Sequence, residues 1–430
     1  MLAVFLFALV FLLGSGVWIG LGLIGVGAVI MTVFTDNPAG DVLITAVWSS
    51  STSWTLTALP LFILMGEILY RTRLSEDLFR ALAPIMSKLP GGLLHTNIVG
   101  STLFAAVSGS SAATLTTVGK MSIPELRRRN YPEKKIIGTL AGASTLGLMI
   151  PPSLTLIVYG VTVNESITKL FMAGIIPGIV LATMFMAYVA ITVKAPTTER
   201  TVASASENGS RKSQRLQDLR LLVPLLVLIS AVIGSMYSGL ATATEAAAIG
   251  VIGALVLSAF QRELSLDAFR DSLLGAVRTS AMIALILMGA SYLSIVMGFT
   301  GLPRALAEYI GTLGLSPVML LAALALLYVV IGMFLDGISS IVLTMAIVEP
   351  LIRSAGIDII WFGIFIVVVV EMAQITPPVG FNLFVMQGMT GHQIDYISRA
   401  AFPMFLIMVL MIVLLVMFPG MATWLSTAVQ

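Results

Sequence analysis

The amino-acid sequence predicts an all-α, polytopic membrane protein built from two related halves. Of its 430 residues, 58% are hydrophobic and only 10% are charged, whereas a soluble globular domain carries about 25% charged residues. The runs 219–235, 240–260 and 398–419 approach or exceed the roughly 20 apolar residues that a spanning helix needs. The third observation is a set of prolines that recur in the second half at one fixed spacing.

The same composition excludes several classes of function. A net charge of +2 is too small to indicate nucleic-acid binding. The chain contains no cysteine, which excludes disulfides and thiolate metal sites. The sequence also lacks a nucleotide-binding motif, so we expect that this chain does not hydrolyse ATP itself.

Apolar segments follow one another along the whole chain. The N-terminal segment lacks the basic residues of a cleaved signal, so we expect it to be retained as a spanning helix. Residues 35–54 are predicted to be an amphipathic connector, and residues 195–218, rich in Ser, Thr and charge, a flexible cytoplasmic linker. The predicted helical segments are 1–14, 16–34, 55–70, 90–125, 136–160, 169–193, 219–236, 240–260, 279–299, 315–352, 359–390 and 398–419.

Prolines of the first half recur 226 positions later in the second half. The pairs are Pro124 and Pro350, Pro151 and Pro377, Pro152 and Pro378, and Pro177 and Pro403. Prolines that merely mark helix ends would not need a shared register. We therefore predict a first repeat over 1–194 and a second over 219–430, each with scaffold helices, an arm, a hairpin and a broken helix. In the first repeat, the inner hairpin is predicted over 90–125 and the broken helix over 136–160. In the second repeat, the arm is predicted over 262–278, the outer hairpin over 315–352 and the broken helix over 359–390.

The distribution of basic residues predicts the orientation. If 90–125 and 315–352 are re-entrant hairpins, 19 of the 23 Lys and Arg residues fall on one side of the membrane. Cytoplasmic loops carry the excess of Lys and Arg, so that side is predicted to be cytoplasmic and both termini periplasmic. The same arrangement makes the two repeats inverted. Hairpins that spanned the membrane fully would largely abolish the charge asymmetry.

Each predicted broken helix contains two adjacent prolines, in "GLMIPPS" (147–153) and "QITPPVGFN" (374–382). A proline in a helix interior costs about 3 kcal/mol or more, and irregular backbone at membrane depth is tolerated only where it is buried or lines a polar cavity. Because proline suits the first helical position, each pair is predicted to start a second half-helix whose N–H groups point into the protein. The preceding half would release carbonyls that can coordinate a small hard cation. An ordinary kink is the alternative.

The centres of the two hairpins are rich in small and hydroxylated residues. "AAVSGSSAATLTT" (105–117) holds Ser108, Gly109, Ser110 and Ser111, and "MFLDGISSIVLT" (333–344) holds Asp336, Gly337, Ser339 and Ser340. Such residues make tight turns, although they also make close helix-packing faces in membranes. Asp336 lies in an apolar segment with no basic neighbour in sequence, so we expect a functional role; a structural cap is the alternative.

Other titratable residues in or near apolar segments receive structural interpretations. They are Glu67, Glu245, Glu349 and Glu371, expected to form hydrogen bonds at helix ends, and His95 and His392, which lie near segment ends. We assign neither histidine a catalytic or metal-binding role.

Two inverted repeats, each with a hairpin tip and a broken helix, are typical of the midplane site of a secondary transporter. The four elements would bind an anionic substrate and coupling cations together. An intramembrane serine protease that used "SGSS" with His95 or His392 would need no second copy of its site. A channel is also disfavoured, because selectivity filters usually come from several equivalent subunits around one pore. We therefore expect a transporter and not an enzyme.

Several motifs resemble those of one transporter family. They are "LPLFILMGEIL" (59–69), "FAAVSGSSAATLTTVGKMSIPE" (104–125), "TLGLMIPPS" (145–153), "GLATATEAAAIG" (239–250), "GMFLD" (332–336) and "TPPVGFNLFV" (376–385). Over essentially the whole chain, they resemble the large membrane subunit, the DctM-like or M subunit, of tripartite ATP-independent periplasmic (TRAP) transporters. The resemblance implies an ion-transporter-superfamily fold with a scaffold part and a mobile transport part, working as a sodium-driven elevator.

The resemblance also implies partners and a location. These are a small four-helix membrane subunit (Q type), a periplasmic substrate-binding protein (P type) and the bacterial inner membrane. The substrate would be a small organic acid such as a C4-dicarboxylate or a sialic acid. Because the chain starts directly with its first helix, we expect the small subunit to be a separate chain. A stand-alone sodium–carboxylate symporter of related fold is the alternative.

By the same resemblance, sodium ions and substrate would lie between the hairpin tips and the helix breaks. The first sodium site would comprise Ser108, Gly109, Ser110, Ser111, Gly147, Ile150 and Pro151, and the second Asp336, Gly337, Ser339, Thr376, Pro377 and Gly380. The substrate would lie near Thr114, Ser153 and Asn382. The residues of the breaks would contribute mainly backbone carbonyls.

Overall fold

The computed structural model describes residues 2–193, 220–312 and 315–428. The predicted linker 195–218 lies outside the described residues. In the first half the helices are α1 (Leu2–Gly14), α2 (Ile19–Phe34), α3 (Ala39–Ser51), α4 (Ala58–Tyr70), α5 (Leu74–Met86), α6 (Leu94–Ser108), α7 (Ser111–Arg128), α8 (Glu133–Ser144), α9 (Leu146–Met149), α10 (Leu154–Thr162) and α11 (Ile167–Thr192). In the second half they are α12 (Val223–Tyr237), α13 (Ala243–Phe260), α14 (Leu266–Thr300), α15 (Leu302–Thr312), α16 (Pro317–Gly332), α17 (Gly337–Ser354), α18 (Ile359–Gln374), α19 (Phe381–Thr390), α20 (Ile394–Met417) and α21 (Gly420–Ala428).

Several of these helices suit a bilayer. Within the described residues, five helices are long and apolar enough to cross a membrane, or up to seven if each of two bent pairs forms one span. Helices satisfy their backbone hydrogen bonds internally, which is the condition for crossing hydrocarbon. The all-α, polytopic fold class is confirmed.

The arms of the two halves differ in ways that the sequence did not predict. In the first half the connector forms α3, which is bent by 55° relative to the segment that ends in α4. In the second half the predicted arm 262–278 continues without a break into the following span, so that α14 is one helix of 35 residues. The short helices α5 and α15 lie in stretches where no helix was expected.

The second helix of each hairpin has the same spacing between the two halves as the prolines. Helices α7 and α17 both have 18 residues, and they begin 226 positions apart at Ser111 and Gly337. Their N-caps, Ser110 and Asp336, share that spacing. Pro124 lies inside α7, and its equivalent in the repeat, Pro350, lies inside α17. The structure therefore repeats the sequence spacing as matching helix boundaries.

The two hairpins have their bases at opposite ends of the segment α8–α10. At its start, the guanidinium of Arg127, from the end of α7, pairs with the carboxylate of Glu133. At its far end, Arg353, from the end of α17, lies 3.6 Å from the carboxylate of Glu165 and donates to the Val163 carbonyl at 3.3 Å. The C-terminal ends of α7 and α17 therefore lie at opposite ends of this segment.

Glycines allow the helices around the hairpins to pack closely. A Cβ on Gly138 of α8 would lie 2.2 Å from the Ala400 carbonyl oxygen of α20. One turn further on, a Cβ on Gly142 would lie 2.5 Å from the Met404 side chain. Small residues at such crossings bring helix backbones together, as is usual in membranes.

Candidate functional site

The tip of the first hairpin is a tight turn stabilised by hydroxyl groups. Gly109 adopts a left-handed conformation with φ of 58°, which glycine tolerates without steric cost. Ser110 caps α7, and its Oγ accepts a hydrogen bond from the Ala113 N–H at 3.4 Å. The hydroxyls of Ser108 and Thr114 lie 2.9 Å apart. This tip, residues 108–111, therefore presents several hydroxyl oxygens in a buried turn.

The first tip packs directly against the first helix break. The Leu154 N–H approaches the Gly109 carbonyl at 3.4 Å. A Cβ on Gly147 would lie 2.8 Å from the Ser110 carbonyl oxygen and 2.9 Å from the Ser111 Cα. The structure thus brings the hairpin residues of the predicted first sodium site onto Gly147.

The first break separates α9 from α10 within a segment bent by 41°, which confirms a broken helix there. The Ile150 N–H makes the last bond of the first half, to the Leu146 carbonyl at 3.0 Å. Ser153 starts the second half: its Oγ accepts from the Leu156 N–H at 3.2 Å and donates to the Leu148 carbonyl. The Pro151–Pro152 peptide bond between them is cis.

The second tip uses a carboxylate where the first uses a hydroxyl. Asp336 caps α17, and its Oδ2 accepts from the Ser339 N–H at 3.3 Å. A Cβ on Gly337 would lie 3.0 Å from the Gln374 Nε2, so this tip touches the end of α18. The Gly380 N–H donates to the Met333 carbonyl at 2.9 Å, which joins the second break to the second hairpin.

The second break, between α18 and α19, is more open than the first. The Thr376 hydroxyl donates to the Met372 carbonyl at 2.7 Å, and the Pro377–Pro378 bond is cis. Both of these prolines are exposed, whereas Pro151 and its neighbour are buried. Gly380 has φ of 55°. In this conformation the two breaks therefore differ in access.

Two of the three predicted substrate residues lie at the first tip. Asn382, in the first turn of α19, donates from Nδ2 to the Ser111 Oγ at 2.6 Å, and Thr114 contacts Ser108. The third, Ser153, already uses its hydroxyl in hydrogen bonds to the Leu148 carbonyl and the Leu156 N–H of the first break. Thr114, Ser153 and Asn382 are all fully buried.

Glu371 is the functional candidate that the sequence interpretation missed. It lies in the last turn of α18, with 1% of its surface exposed. Its neighbours are Gln374, whose Nε2 is 3.5 Å from Oε1, and Ser111. Oε2 has no hydrogen-bond partner within the described part of the chain. Its apolar flanks were the available sequence signal.

The other three glutamates have the structural roles expected of them. Glu245 forms a capping box with Thr242 at the start of α13. Glu349 pairs with Arg353 at 2.9 Å, and Glu67 lies 3.6 Å from the Arg71 guanidinium.

The histidines do not form a dyad with the tip serines. His95 lies at the start of α6 and hydrogen-bonds to the Pro90 carbonyl at 2.7 Å. The helix α6 separates it from Ser108 at the tip by about 20 Å. His392 instead lies 3.2 Å from the Glu133 carboxylate.

The donor atoms at the tips and breaks fit a hard cation of low charge. They are hydroxyl, amide, carboxylate and carbonyl oxygens, and hard cations prefer oxygen ligands. Among the described residues, no three His, Asp or Glu side chains come together as a metal cluster. Asn382 Oδ1 is buried without a hydrogen-bond partner in the described residues, so one buried oxygen near the first tip is available to bind a ligand.

Comparisons with known proteins agree on one family. The family described as "Tripartite ATP-independent periplasmic transporter, DctM component" matches residues 4–421. The C4-dicarboxylate TRAP transporter large permease protein of Pseudomonas aeruginosa is 31% identical over 92% of this chain and 91% of its own length. The sialic acid TRAP transporter large permease protein of Vibrio cholerae is 30% identical over 95% of this chain and 94% of its own length.

Two further similarities concern an extended relative and the fold. The isethionate TRAP transporter permease protein of Oleidesulfovibrio alaskensis is 31% identical over 96% of this chain, which spans 64% of that protein's length. The crystal structure of the YdaH transporter of Alcanivorax borkumensis, described as having an unusual topology, matches with a TM-score of 0.65. It is 16% identical and covers 95% of this chain and 98% of that one, so it shows a shared fold alone.

Proposed function

We infer the function from the premise that this chain belongs to the DctM family, the DctM component of tripartite ATP-independent periplasmic transporters. It is a multi-pass membrane protein, the large permease subunit of a bacterial transporter for organic acids, and not an enzyme. We propose that it imports a small organic acid, such as a C4-dicarboxylate, a sialic acid or a sulfonate like isethionate, in symport with sodium.

One observation carries the sodium-coupled part of the proposal. The first hairpin tip and the second break, which are far apart in sequence, are joined by the 2.6 Å hydrogen bond between Asn382 and Ser111. Gly147 is packed on the first tip and Gly337 on Gln374. Two oxygen-lined turns and two helix starts thus share one interior, and this arrangement supports a midplane site for an anion and its coupling cations.

Each element has a distinct task in the proposed mechanism. The N-termini of α10 and α19 would face the substrate, and their partial positive charge would stabilise its acidic group. Ser108, Ser111 and the released carbonyls of the first break would hold one sodium ion. Asp336, with the carbonyls near Thr376, would hold the other. Sodium supplies the positive charge that makes binding of an anion in this interior favourable.

We further propose that the hairpins and broken helices move together as an elevator. Gly147 is packed on the first tip, and the Gly380 N–H bonds to the Met333 carbonyl, so each hairpin is packed against a broken helix. The buried first break and the exposed second break are consistent with one state of an alternating-access cycle. A small four-helix membrane subunit and a periplasmic binding protein would complete the transporter in the bacterial inner membrane, with both termini of this chain periplasmic.

Uptake by reconstituted protein tests the proposal. Proteoliposomes containing this chain and its small subunit receive an inward sodium gradient and radiolabelled organic acids, with and without the cognate binding protein. We expect uptake to require both sodium and the binding protein. Sodium-driven uptake without the binding protein would indicate a stand-alone symporter, and uptake indifferent to sodium would refute sodium coupling.

A further inference from the structure

Glu371 is a buried carboxyl group that forms no ion pair with any of the residues that the structure describes. With 1% of its surface exposed, an ionised Glu371 would cost several kcal/mol unless a positive charge lay beside it. Helices packed against α18 do carry charged residues, but toward their ends. Glu349 and Arg353 of α17 pair with each other, and Asp395 and Arg399 of α20 pair at 3.0 Å. Asp336 caps the start of α17. Lys169 lies in the first turn of α11.

The groups that do surround Glu371 offer oxygen atoms. Ser111 lies beside the carboxyl group, and its hydroxyl accepts the 2.6 Å hydrogen bond from Asn382. Two buried acceptors, Glu371 Oε2 and Asn382 Oδ1, have no hydrogen-bond partner among the described residues. Acceptors left without a donor in a buried site are the arrangement that a cation would satisfy.

The two tips differ in charge at matching positions of the repeat. Ser110 and Asp336 occupy the same register position, as N-caps of α7 and α17. The second tip therefore carries its own negative charge, whereas the first has a neutral hydroxyl at that position. Glu371 lies in the other half of the chain, and α18 brings it to Ser111.

We propose that Glu371 is the charged ligand of the cation site at the first hairpin tip, together with Ser111 and the Oδ1 of Asn382. This inference rests on the proposed sodium symport and adds a residue to it. It also assigns Asn382 to cation binding rather than to the substrate. Because Ser111 and Glu371 belong to different halves, an ion held between them ties the first hairpin to the second broken helix.

The variant Glu371→Gln tests the proposal, because it keeps the side-chain shape and removes the charge. The matched control is Glu245→Gln, which removes a carboxylate charge at an exposed helix cap away from the tips. Sodium binding is measured on the purified complex, without substrate, as the rise of the unfolding temperature with sodium concentration. We expect Glu371→Gln to raise the half-saturating sodium concentration about tenfold or more, the scale seen when a supporting metal-site group is lost, and Glu245→Gln to leave it unchanged.

An unchanged sodium response in Glu371→Gln would overturn the proposal. So would a variant that responds normally to sodium but loses the pH dependence of uptake, since Glu371 would then carry a proton. If Glu371→Gln fails to fold, the charge-conserving double variant with Asn382→Asp is measured. We expect it to bind sodium within about threefold of the native protein, and a folded double variant without a sodium response refutes the site. A native protein that shows no sodium response would instead refute the proposed function itself.

Discussion

Substituting Gly147 with alanine tests whether the close contact between the first hairpin tip and the first break is needed for sodium binding. The added Cβ would lie 2.8 Å from the Ser110 carbonyl oxygen and 2.9 Å from both the Ser110 carbonyl carbon and the Ser111 Cα. All three atoms belong to the backbone, so no side-chain rotation can relieve the contact. Gly388 of α19 is the matched control, because a Cβ there would meet nothing within 4 Å.

The size of the effect follows from the geometry. Carbon and its neighbours reach their optimal separation at about 3.5–4.0 Å, so the tip and the break must move apart by roughly 0.7 Å or more. Overpacking of a well-packed interior costs typically about 1–3 kcal/mol. If that cost falls on the sodium-bound conformation, the half-saturating sodium concentration rises by about 5- to 150-fold.

The assay is uptake of the organic acid into proteoliposomes over a series of external sodium concentrations. We expect Gly147→Ala to need more sodium for half-maximal uptake and Gly388→Ala to match the native protein. Gly147→Ala protein that folds normally and retains the native sodium dependence would refute the reasoning, because the first tip and break would not then form a sodium site.

Three further predictions concern the second tip, the topology and the packing. Asp336→Asn should keep the helix cap, since Asn and Asp cap equally well, yet raise the half-saturating sodium concentration for uptake about tenfold; normal sodium dependence would exclude Asp336 as a ligand. The chain has no cysteine, so cysteines placed singly at the exposed positions Asn130 and Ser354 report topology cleanly. We expect impermeant maleimide to label the first only from the cytoplasm and the second only from the periplasm, and labelling of both from one side would contradict the inverted arrangement. Gly138→Ala should destabilise the protein by about 3 kcal/mol, because its Cβ would lie 2.2 Å from the Ala400 carbonyl oxygen; thermal unfolding in detergent measures this, and an unchanged transition would show that α8 and α20 can separate freely.

Local chemistry made much of the fold predictable from the sequence. Hydropathy identified the spans because a bilayer selects for apolar side chains. The breaks were predictable because proline lacks the N–H that continues a helix, and the tips because glycine and small hydroxylated residues favour tight turns. The 226-residue spacing recurs as matching boundaries of α7 and α17. Each of these properties depends on a few neighbouring residues, so it can be read without knowing the packing.

Only the tertiary structure decided which distant groups meet. Asn382 and Ser111 are 271 positions apart, and no local pattern links them. Glu371 lies near an apolar segment, as the other three glutamates do. Those three form a helix cap or pair with arginines, whereas Glu371 is buried beside a serine from the other half of the chain. The continuity of α14 through the predicted arm and the unequal burial of the two proline pairs are likewise results of packing. The physical reason is that burial and pairing are set by helices that converge from remote parts of the chain, whereas hydropathy, capping and proline breaks act within a turn or two.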